Sequence, residues 1–307
     1  MRAAHGALAS LLLLVPCTVL AHTVHVGRRL SHWLESFETA LSADQWYHFH
    51  EHGYVLLPGF FGGERFAKIE NARGHLDAMW NGSANACADK ACRTGVQFQP
   101  LKFKAGAQWN NNKLLNIGPK YARMREENYR LYGADILPSP NPWSDLGRDR
   151  KLLDVVGALI GGSPLKNESL IFEYGTEQAM HLDTWYALGG VRKDGMVAAW
   201  IALDDVTADN GPLLYVPGSH KLKPRMTRTP TDYRGGRSVM PDKPTNVPGA
   251  TAYVESEIKR RGLERVELRA SAGDVFIWHE MLYHGGAPIR KPGTRRRSTV
   301  WHYNADW

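Results

Sequence analysis

Cysteine is scarce in this sequence, with 3 residues in 307. Cys17 lies in an apolar N-terminal run, which leaves Cys87 and Cys92 as a pair close enough to form one disulfide in an oxidising compartment. A zinc site on this pair would lack further ligands nearby, so we do not expect a metal there.

Long hydrophobic runs are also missing. The longest, Ala7–Ala21, has 15 residues, fewer than the roughly 20 that a membrane helix needs. Arg2 precedes this run and small residues end it, so residues 1–21 are predicted to be a secretory signal peptide, with a secretory or extracytoplasmic location. Two alternatives remain: an uncleaved membrane anchor, because Arg28 follows, and a mitochondrial presequence, because no acidic residue precedes Glu35. Contact with a membrane is expected only if the run stays uncleaved.

No zinc finger, recognition helix, internal repeat or long low-complexity tract accompanies the basic charge of the chain. The net charge is +7 and the pI about 9.3, but the basic residues are scattered rather than gathered in one stripe. We therefore expect a solvated basic surface, no nucleic-acid partner, and a small-molecule substrate for which the charge favours an anion. Hydrophobic content of 43% and charged content of 22% are typical of a globular protein with a core.

The N-terminal part has helical spacing. Apolar residues recur every three or four positions over residues 28–50, and Ser42 is placed to cap the helix that Gly53 ends. A short strand, Tyr54–Leu57, follows, and residues 63–80 again predict a helix. We assign residues 22–45 to a helical N-terminal segment.

The character changes after about residue 165. Short apolar runs separated by Gly and Pro turns predict many strands: 169–174, 180–186, 196–203, 213–216, 266–268, 275–278 and 298–303. Residues 221–262 interrupt the series and predict a long lid or entrance loop, and residues 81–150 predict helix mixed with loops. The predicted fold is mainly β with α, a jelly roll with N-terminal and flanking helices.

A candidate metal site begins at His181-Leu182-Asp183, at the start of a predicted strand. Residues i and i+2 of a strand point to the same side, so this imidazole and this carboxylate would face one point. His284 follows a turn and a buried strand about a hundred residues later, and can complete the set. Two histidines and one carboxylate with open positions are the ligands of iron(II) oxygenases.

Several longer motifs support this interpretation. They are F-H-E-H-G-Y-V-L-L-P-G-F-F from Phe49, A-W-I-A-L-D-D-V-T-A-D-N-G-P-L-L-Y-V-P-G-S-H-K from Ala199, and G-D-V-F-I-W-H-E-M-L-Y-H-G-G from Gly273. Together with H-L-D they resemble the phytanoyl-CoA dioxygenase family of iron and 2-oxoglutarate oxygenases. The resemblance runs from about residue 46 to the end, so we assign residues 46–307 to one such domain.

The resemblance implies a double-stranded β-helix that holds Fe(2+) through His181, Asp183 and His284. It further implies 2-oxoglutarate as cosubstrate, its distal carboxylate bound by a C-terminal arginine. Aligning the final strand favours Arg296, with Ser298 on the same face; counting from His284 favours Arg295 about as well. Trp200 matches a family position that lines the cosubstrate pocket.

The resemblance also implies a reaction. Related halogenases replace the carboxylate ligand with a small residue, and because Asp183 is present here we expect an oxidation. The predicted function is hydroxylation of a C–H bond of a small organic substrate by O2, with 2-oxoglutarate converted to succinate and CO2. Two alternatives are a cupin-like enzyme using another metal and a non-catalytic jelly-roll binding protein.

Other residues near these motifs have both a structural and a functional interpretation: partner of a metal ligand for His279, acid–base chemistry for Asp204 and Asp205, and part of the pocket for the rest. They are His220, His279, Trp185, Tyr186, Asp204, Asp205 and the patch 109–113.

Overall fold

The computed structural model describes residues 40–80, 97–100, 129–132, 141–185, 195–222, 224 and 247–306. The predictions for the N-terminal run, for Cys87 and Cys92, for Tyr186 and for the patch 109–113 lie outside these ranges. So does the first part of the helix predicted over 28–50. The division into domains stays a prediction.

The described helices are α1 (Ala43–His52), α2 (Phe66–Trp80), α3 (Pro142–Gly147), α4 (Arg150–Ile160) and α5 (Val247–Arg261). Short 3-10 turns cover Gly63–Arg65, Asp183–Trp185 and Ser219–Leu222. None of the described helices is both long and apolar enough to cross a bilayer.

The strands are β1 (Tyr54–Leu57), β2 (Gln97–Pro100), β3 (Tyr129–Tyr132), β4 (Ser163–Phe172), β5 (Met196–Ala202), β6 (Leu213–Tyr215), β7 (Val266–Glu267), β8 (Val275–His279), β9 (His284–Gly286) and β10 (Ser298–Asp306). Seven form one sheet in the order β1-β8-β5-β10-β4-β3-β2, and three form a second in the order β7-β6-β9. The strands pair antiparallel. The predicted fold class is confirmed.

The two faces of the large sheet bury different clusters. On β10, Trp301 and Tyr303 pack in the core formed with helices α2, α3 and α4. Val300 faces the other way, with Trp200 and Phe276, into the space between the two sheets. This follows from strand alternation, which sends successive side chains to opposite faces. The inner face is the one that carries the site described below.

Local signals explain α1 and the turn after it. The Ser42 hydroxyl accepts a hydrogen bond from the Gln45 amide, and the Gln45 side chain accepts one from the Ser42 amide, which completes a capping box. Gly53 ends the helix at φ +82°, the left-handed region that glycine enters at no steric cost. The predicted cap, stop and following strand are all confirmed.

Three regions differ from the sequence prediction. A strand was predicted over 180–186, but its described part, residues 180–185, is not one: only His181 pairs, in an isolated bridge, and the chain then turns into a 3-10 helix at Asp183. The region 221–262, predicted to be a loop, contains helix α5, whose apolar residues Ala250, Val254 and Ile258 recur at helical spacing. Strands β2 and β3 lie in the region 81–150, where the sequence predicted none.

Replacing Gly147 by alanine is expected to destabilise the fold by about 1–3 kcal/mol, the usual result of overpacking. A Cβ atom there would overlap the buried Trp301 ring. Urea unfolding measures the effect. The matched control is Gly74→Ala, at an exposed position of α2 with no atom within 4 Å of the new methyl, which should stabilise by up to about 1 kcal/mol. Equal midpoints for the wild type and Gly147→Ala would contradict this packing.

Candidate metal centre

The two histidines of the predicted triad are joined through their backbones. His181 forms an isolated antiparallel bridge with His284, the first residue of β9. The His181 amide donates to the His284 carbonyl at 2.7 Å, and the His284 amide donates back at 3.0 Å. This pair of bonds sets the two rings side by side, with centroids 4.3 Å apart.

Asp183 reaches the same point from a 3-10 turn rather than from a strand. Its amide donates to the Glu280 carbonyl at 3.0 Å, and the intervening Leu182 packs into the cluster beneath α5. The side chains at 181 and 183 therefore face the site while 182 faces away. The i, i+2 argument gave the right grouping although the predicted strand was wrong.

The imidazole orientations are fixed by backbone carbonyls. The Nδ1 atom of His181 lies 2.8 Å from the Ala179 carbonyl, and that of His284 lies 2.9 Å from the Leu282 carbonyl. Because a carbonyl oxygen only accepts, Nδ1 is the donor in each ring, which makes Nε2 the atom placed to bind a metal. The two Nε2 atoms lie 3.7 and 3.5 Å from Asp183 Oδ1.

The second oxygen of Asp183 has different neighbours. Trp278 donates to Oδ2 from its indole nitrogen at 2.7 Å, and His302 Nε2 lies 3.4 Å from the same oxygen. All three side chains are buried. Neither Trp278 nor His302 was singled out from the sequence. The available signal was their position in strands β8 and β10, both of which face the site.

The charge state of the triad suits a divalent metal. Burial acts to raise the pKa of Asp183, but His284, His181 and His302 outweigh it and hold this pKa well below its usual range. Burial lowers the pKa of His284 to about 4, although Asp183 acts in the opposite direction. A carboxylate anion beside a neutral imidazole is the form in which these groups bind a metal ion.

The three ligand atoms, one from each side chain, all lie within 4.8 Å of one another. Within the described ranges, this is the one group of three or more potential metal-binding side chains that meets this distance. Nitrogen and oxygen donors in this set suit iron(II). The donor set therefore fits the metal that the sequence predicted.

Two glycines after His284 let the neighbouring chain approach. A Cβ atom at Gly285 would lie 2.8 Å from the Gln178 carbonyl oxygen, and one at Gly286 would overlap the Thr176 hydroxyl. The segment that leads to His181 could not lie this close to a bulkier strand.

The arginine cluster after β9 separates into three environments. Arg295 pairs with Glu173 at 2.6 Å, and Arg297 pairs with Asp204 at 2.9 Å. Arg296 is only 1% exposed. Arg296 lies just before β10, and its amide donates to the Glu173 carbonyl at 3.0 Å, which brings its side chain to the inner side while those of its two neighbours reach other partners.

The Arg296 guanidinium has few partners in the described part of the chain. One terminal nitrogen donates to the Gly211 carbonyl at 2.8 Å, its carbon lies 5.5 Å from the Trp200 ring centroid, and Nε has no hydrogen-bond partner there. The hydroxyl of Ser298, also fully buried, likewise has no partner among the described residues. Arg296 and Ser298 are thus buried polar groups on the inner side of the barrel, where a ligand can satisfy them.

Other candidate residues have structural contacts. Asp204 binds Arg297, and Asp205 accepts a hydrogen bond from the Ala272 amide at 2.9 Å. The Nε2 atom of His220 lies 3.2 Å from the His50 carbonyl oxygen at the end of α1. The ring centroids of His220 and His279 are 5.4 Å apart. The side chain of Trp185 is outside the described part.

One family of known proteins matches most of the chain. The sequence profile described as "Phytanoyl-CoA dioxygenase (PhyH)" matches residues 49–297. The chain belongs to the phytanoyl-CoA dioxygenase family. Membership confirms the predicted class of enzyme, a 2-oxoglutarate-dependent non-haem iron dioxygenase with iron and 2-oxoglutarate as cofactors.

Individual relatives cover this dioxygenase to different extents. Ectoine dioxygenase of Halomonas elongata is 31% identical over 160 residues, which are 50% of this chain and 47% of that protein. Phytanoyl-CoA dioxygenase domain-containing protein 1 of Mus musculus is 23% identical over 244 residues, 73% of this chain and 80% of that protein. The match to ectoine dioxygenase thus spans about half of its length.

Solved structures share the fold. EctD from S. alaskensis, solved with 2-oxoglutarate and 5-hydroxyectoine, superposes with a TM-score of 0.55 at 19% identity, covering 87% of this dioxygenase and 77% of EctD. SnoK, a non-haem α-ketoglutarate-dependent carbocyclase from nogalamycin biosynthesis, gives 0.52 at 18% identity, covering 87% and 85%.

Proposed function

We propose that this dioxygenase hydroxylates a C–H bond of a small organic substrate while 2-oxoglutarate is oxidatively decarboxylated. One atom of O2 enters the substrate as hydroxyl and the other enters succinate, and CO2 leaves. The four electrons that reduce O2 come in pairs from 2-oxoglutarate and from the C–H bond. The observation that carries the proposal is a buried arginine without a carboxylate partner in the described residues, inside the same barrel as a His-Asp-His triad.

His181, Asp183 and His284 would hold the iron. When bound, iron(II) supplies the activation of dioxygen, for which it needs open coordination positions. With three protein ligands, the iron would keep open positions for its cosubstrate. The intact carboxylate at 183 favours hydroxylation over halide transfer.

Arg296 would bind the distal carboxylate of 2-oxoglutarate. A guanidinium forms two parallel hydrogen bonds with a carboxylate, and a buried cation is stable only when it is paired. Burial lowers the pKa of Arg296 to about 10, so the group is still a cation at neutral pH. Ser298 would add a hydroxyl to the same carboxylate, and the Trp200 ring would form one wall.

The substrate is proposed only by class. Ectoine dioxygenase is named for a small organic molecule, and EctD was solved with 5-hydroxyectoine, which supports a small-molecule substrate here. The net charge of +7 favours an anionic one. The signal-peptide prediction for residues 1–21 would put the reaction outside the cytoplasm.

Anaerobic mixing of the purified protein with iron(II) and 2-oxoglutarate tests the proposal. We expect the visible charge-transfer band of the iron chelate, and succinate once O2 is admitted. His181→Ala, which removes one ligand nitrogen, should lose both signals. A folded, iron-loaded wild type with neither band nor succinate would favour the binding-protein or other-metal alternative.

A further inference from the structure

The two oxygens of Asp183 are not equivalent. Oδ1 lies 3.7 Å from His181 Nε2 and 3.5 Å from His284 Nε2, so it faces the metal position. Oδ2 points the other way, onto the Trp278 indole N–H at 2.7 Å and towards His302 Nε2 at 3.4 Å. The Trp278 hydrogen bond therefore fixes the rotation of the carboxylate, and the His302 ring lies beside the same oxygen; neither side chain belongs to the triad.

Sheet register puts Trp278 and His302 on either side of a small residue. Ala198 of β5 pairs with Trp278 of β8 on one side and with His302 of β10 on the other. Residues directly opposite in neighbouring strands share a face, so these three side chains form one row on the inner surface. The methyl group of Ala198 leaves a gap between the two larger rings, and Asp183 contacts both of them.

The polar groups of Trp278, His302 and Asp183 are buried away from solvent. Trp278 is 2% exposed, His302 3% and Asp183 6%. A buried carboxylate needs hydrogen-bond donors for its lone pairs. A histidine in a core can be a packing residue only, but Nε2 of His302 points at the one carboxylate oxygen that the triad leaves over.

We infer that His302, together with Trp278, is a positioning residue that lets Asp183 bind the iron through Oδ1 alone. Without a partner for Oδ2, the carboxylate is free to rotate and chelate through both oxygens, which would occupy a coordination position that 2-oxoglutarate needs. The inference rests on the proposed function for its cosubstrate part. Its metal part depends only on the triad.

Strand β10 then contributes side chains to the proposed site at two positions. Residues 298, 300 and 302 alternate onto the inner face. Ser298 lies at the arginine end, where the distal carboxylate of the cosubstrate is proposed to bind, and His302 lies against the metal carboxylate.

The test compares His302→Leu, His302→Gln and Trp278→Phe with the wild type in two binding measurements. One is iron(II) affinity, from competition with a chromogenic chelator. The other is 2-oxoglutarate affinity under anaerobic conditions, from the charge-transfer band. We expect His302→Leu to weaken one or both by about 10- to 100-fold, the usual cost of losing a group that orients a metal ligand.

The other two variants sharpen the result. His302→Gln keeps an N–H group and should recover most of the affinity lost in His302→Leu. Trp278→Phe keeps an aromatic ring but removes the N–H donor, so its affinities should decrease as those of His302→Leu do. The matched control is Tyr303→Phe, which removes the bond from the Tyr303 hydroxyl to the Gly147 carbonyl on the opposite face of the same strand. It should lower the Tm while leaving both affinities unchanged.

Wild-type affinities in His302→Leu and Trp278→Phe would overturn the inference, as would losses no larger than those of Tyr303→Phe. If His302→Leu does not fold, the affinities of His302→Gln and Trp278→Phe still test the positioning role. A wild type that binds iron but gives no 2-oxoglutarate band would refute the proposed function. The iron(II) affinities of the variants, compared with that of the wild type, would then test the role of His302 by themselves.

Discussion

Asp183→Ala is expected to reduce iron-dependent succinate formation by at least about 100-fold, beyond the 10- to 100-fold typical of losing an outer-shell partner of a metal ligand. The substitution removes the only carboxylate within the described metal group. It also leaves the Trp278 indole N–H without its acceptor. Succinate assayed at saturating iron and 2-oxoglutarate measures the effect, and iron content after gel filtration shows whether the metal is retained.

The matched control for this prediction is Asp274→Asn. Asp274 is buried like Asp183, at 7% against 6% exposure, but its oxygens accept from the backbone amides of Gly59 and Ser271. We expect it to lower the Tm without changing the iron content. Normal succinate formation by Asp183→Ala, or a loss of iron in Asp274→Asn that equals that in Asp183→Ala, would contradict the assignment of the triad.

Arg296→Gln is expected to raise the dissociation constant for 2-oxoglutarate by at least about 30-fold, which corresponds to the lower end of the 2–5 kcal/mol typical of removing one partner of a buried, hydrogen-bonded charge pair. Iron affinity should remain unchanged, because Arg296 is not among the metal-binding side chains. Anaerobic titration of the charge-transfer band measures the 2-oxoglutarate affinity, and competition with a chromogenic chelator measures the iron affinity.

Substitutions of the two neighbours of Arg296 are the controls, because each also removes one positive charge. Arg295→Gln breaks the contact with Glu173, and Arg297→Gln breaks the contact with Asp204. Both should affect stability far more than 2-oxoglutarate affinity. A larger affinity loss in Arg295→Gln than in Arg296→Gln would assign the cosubstrate carboxylate to Arg295 instead.

Local rules predicted much of the fold. The Ser42 cap, the Gly53 stop and the strands around residues 196–203, 275–278 and 298–303 all rest on signals that act within a few residues, and the structure contains each of them. The sequence of residues 180–186 has the apolar alternation of a strand, but the described part of this segment, 180–185, folds differently. His181 finds a backbone partner, but the chain then turns at Asp183, whose amide donates to the Glu280 carbonyl instead of extending a ladder.

The candidate site was only partly predictable for a related reason. His181, Asp183 and His284 are signalled by motif and spacing, whereas the sequence left Arg295 and Arg296 nearly equal, with alignment of the final strand favouring Arg296. The contacts of Trp278 and His302 with Asp183 depend on the register of β5 between β8 and β10, which pairs residues about 80 to 100 positions apart. No short-range pattern contains that information.

The backbone bridge between His181 and His284 has a consequence for how the metal arrives. Because the two amides and carbonyls satisfy each other at 2.7 and 3.0 Å, both ring-bearing residues are ordered by the sheet rather than by the ion. Little chain entropy is then lost on loading, so nearly all of the intrinsic binding free energy of the metal appears as affinity. Iron stabilises such a protein by simple mass action, as the logarithm of free metal over its dissociation constant. Chelation should therefore give a folded apoprotein that reloads without a refolding step.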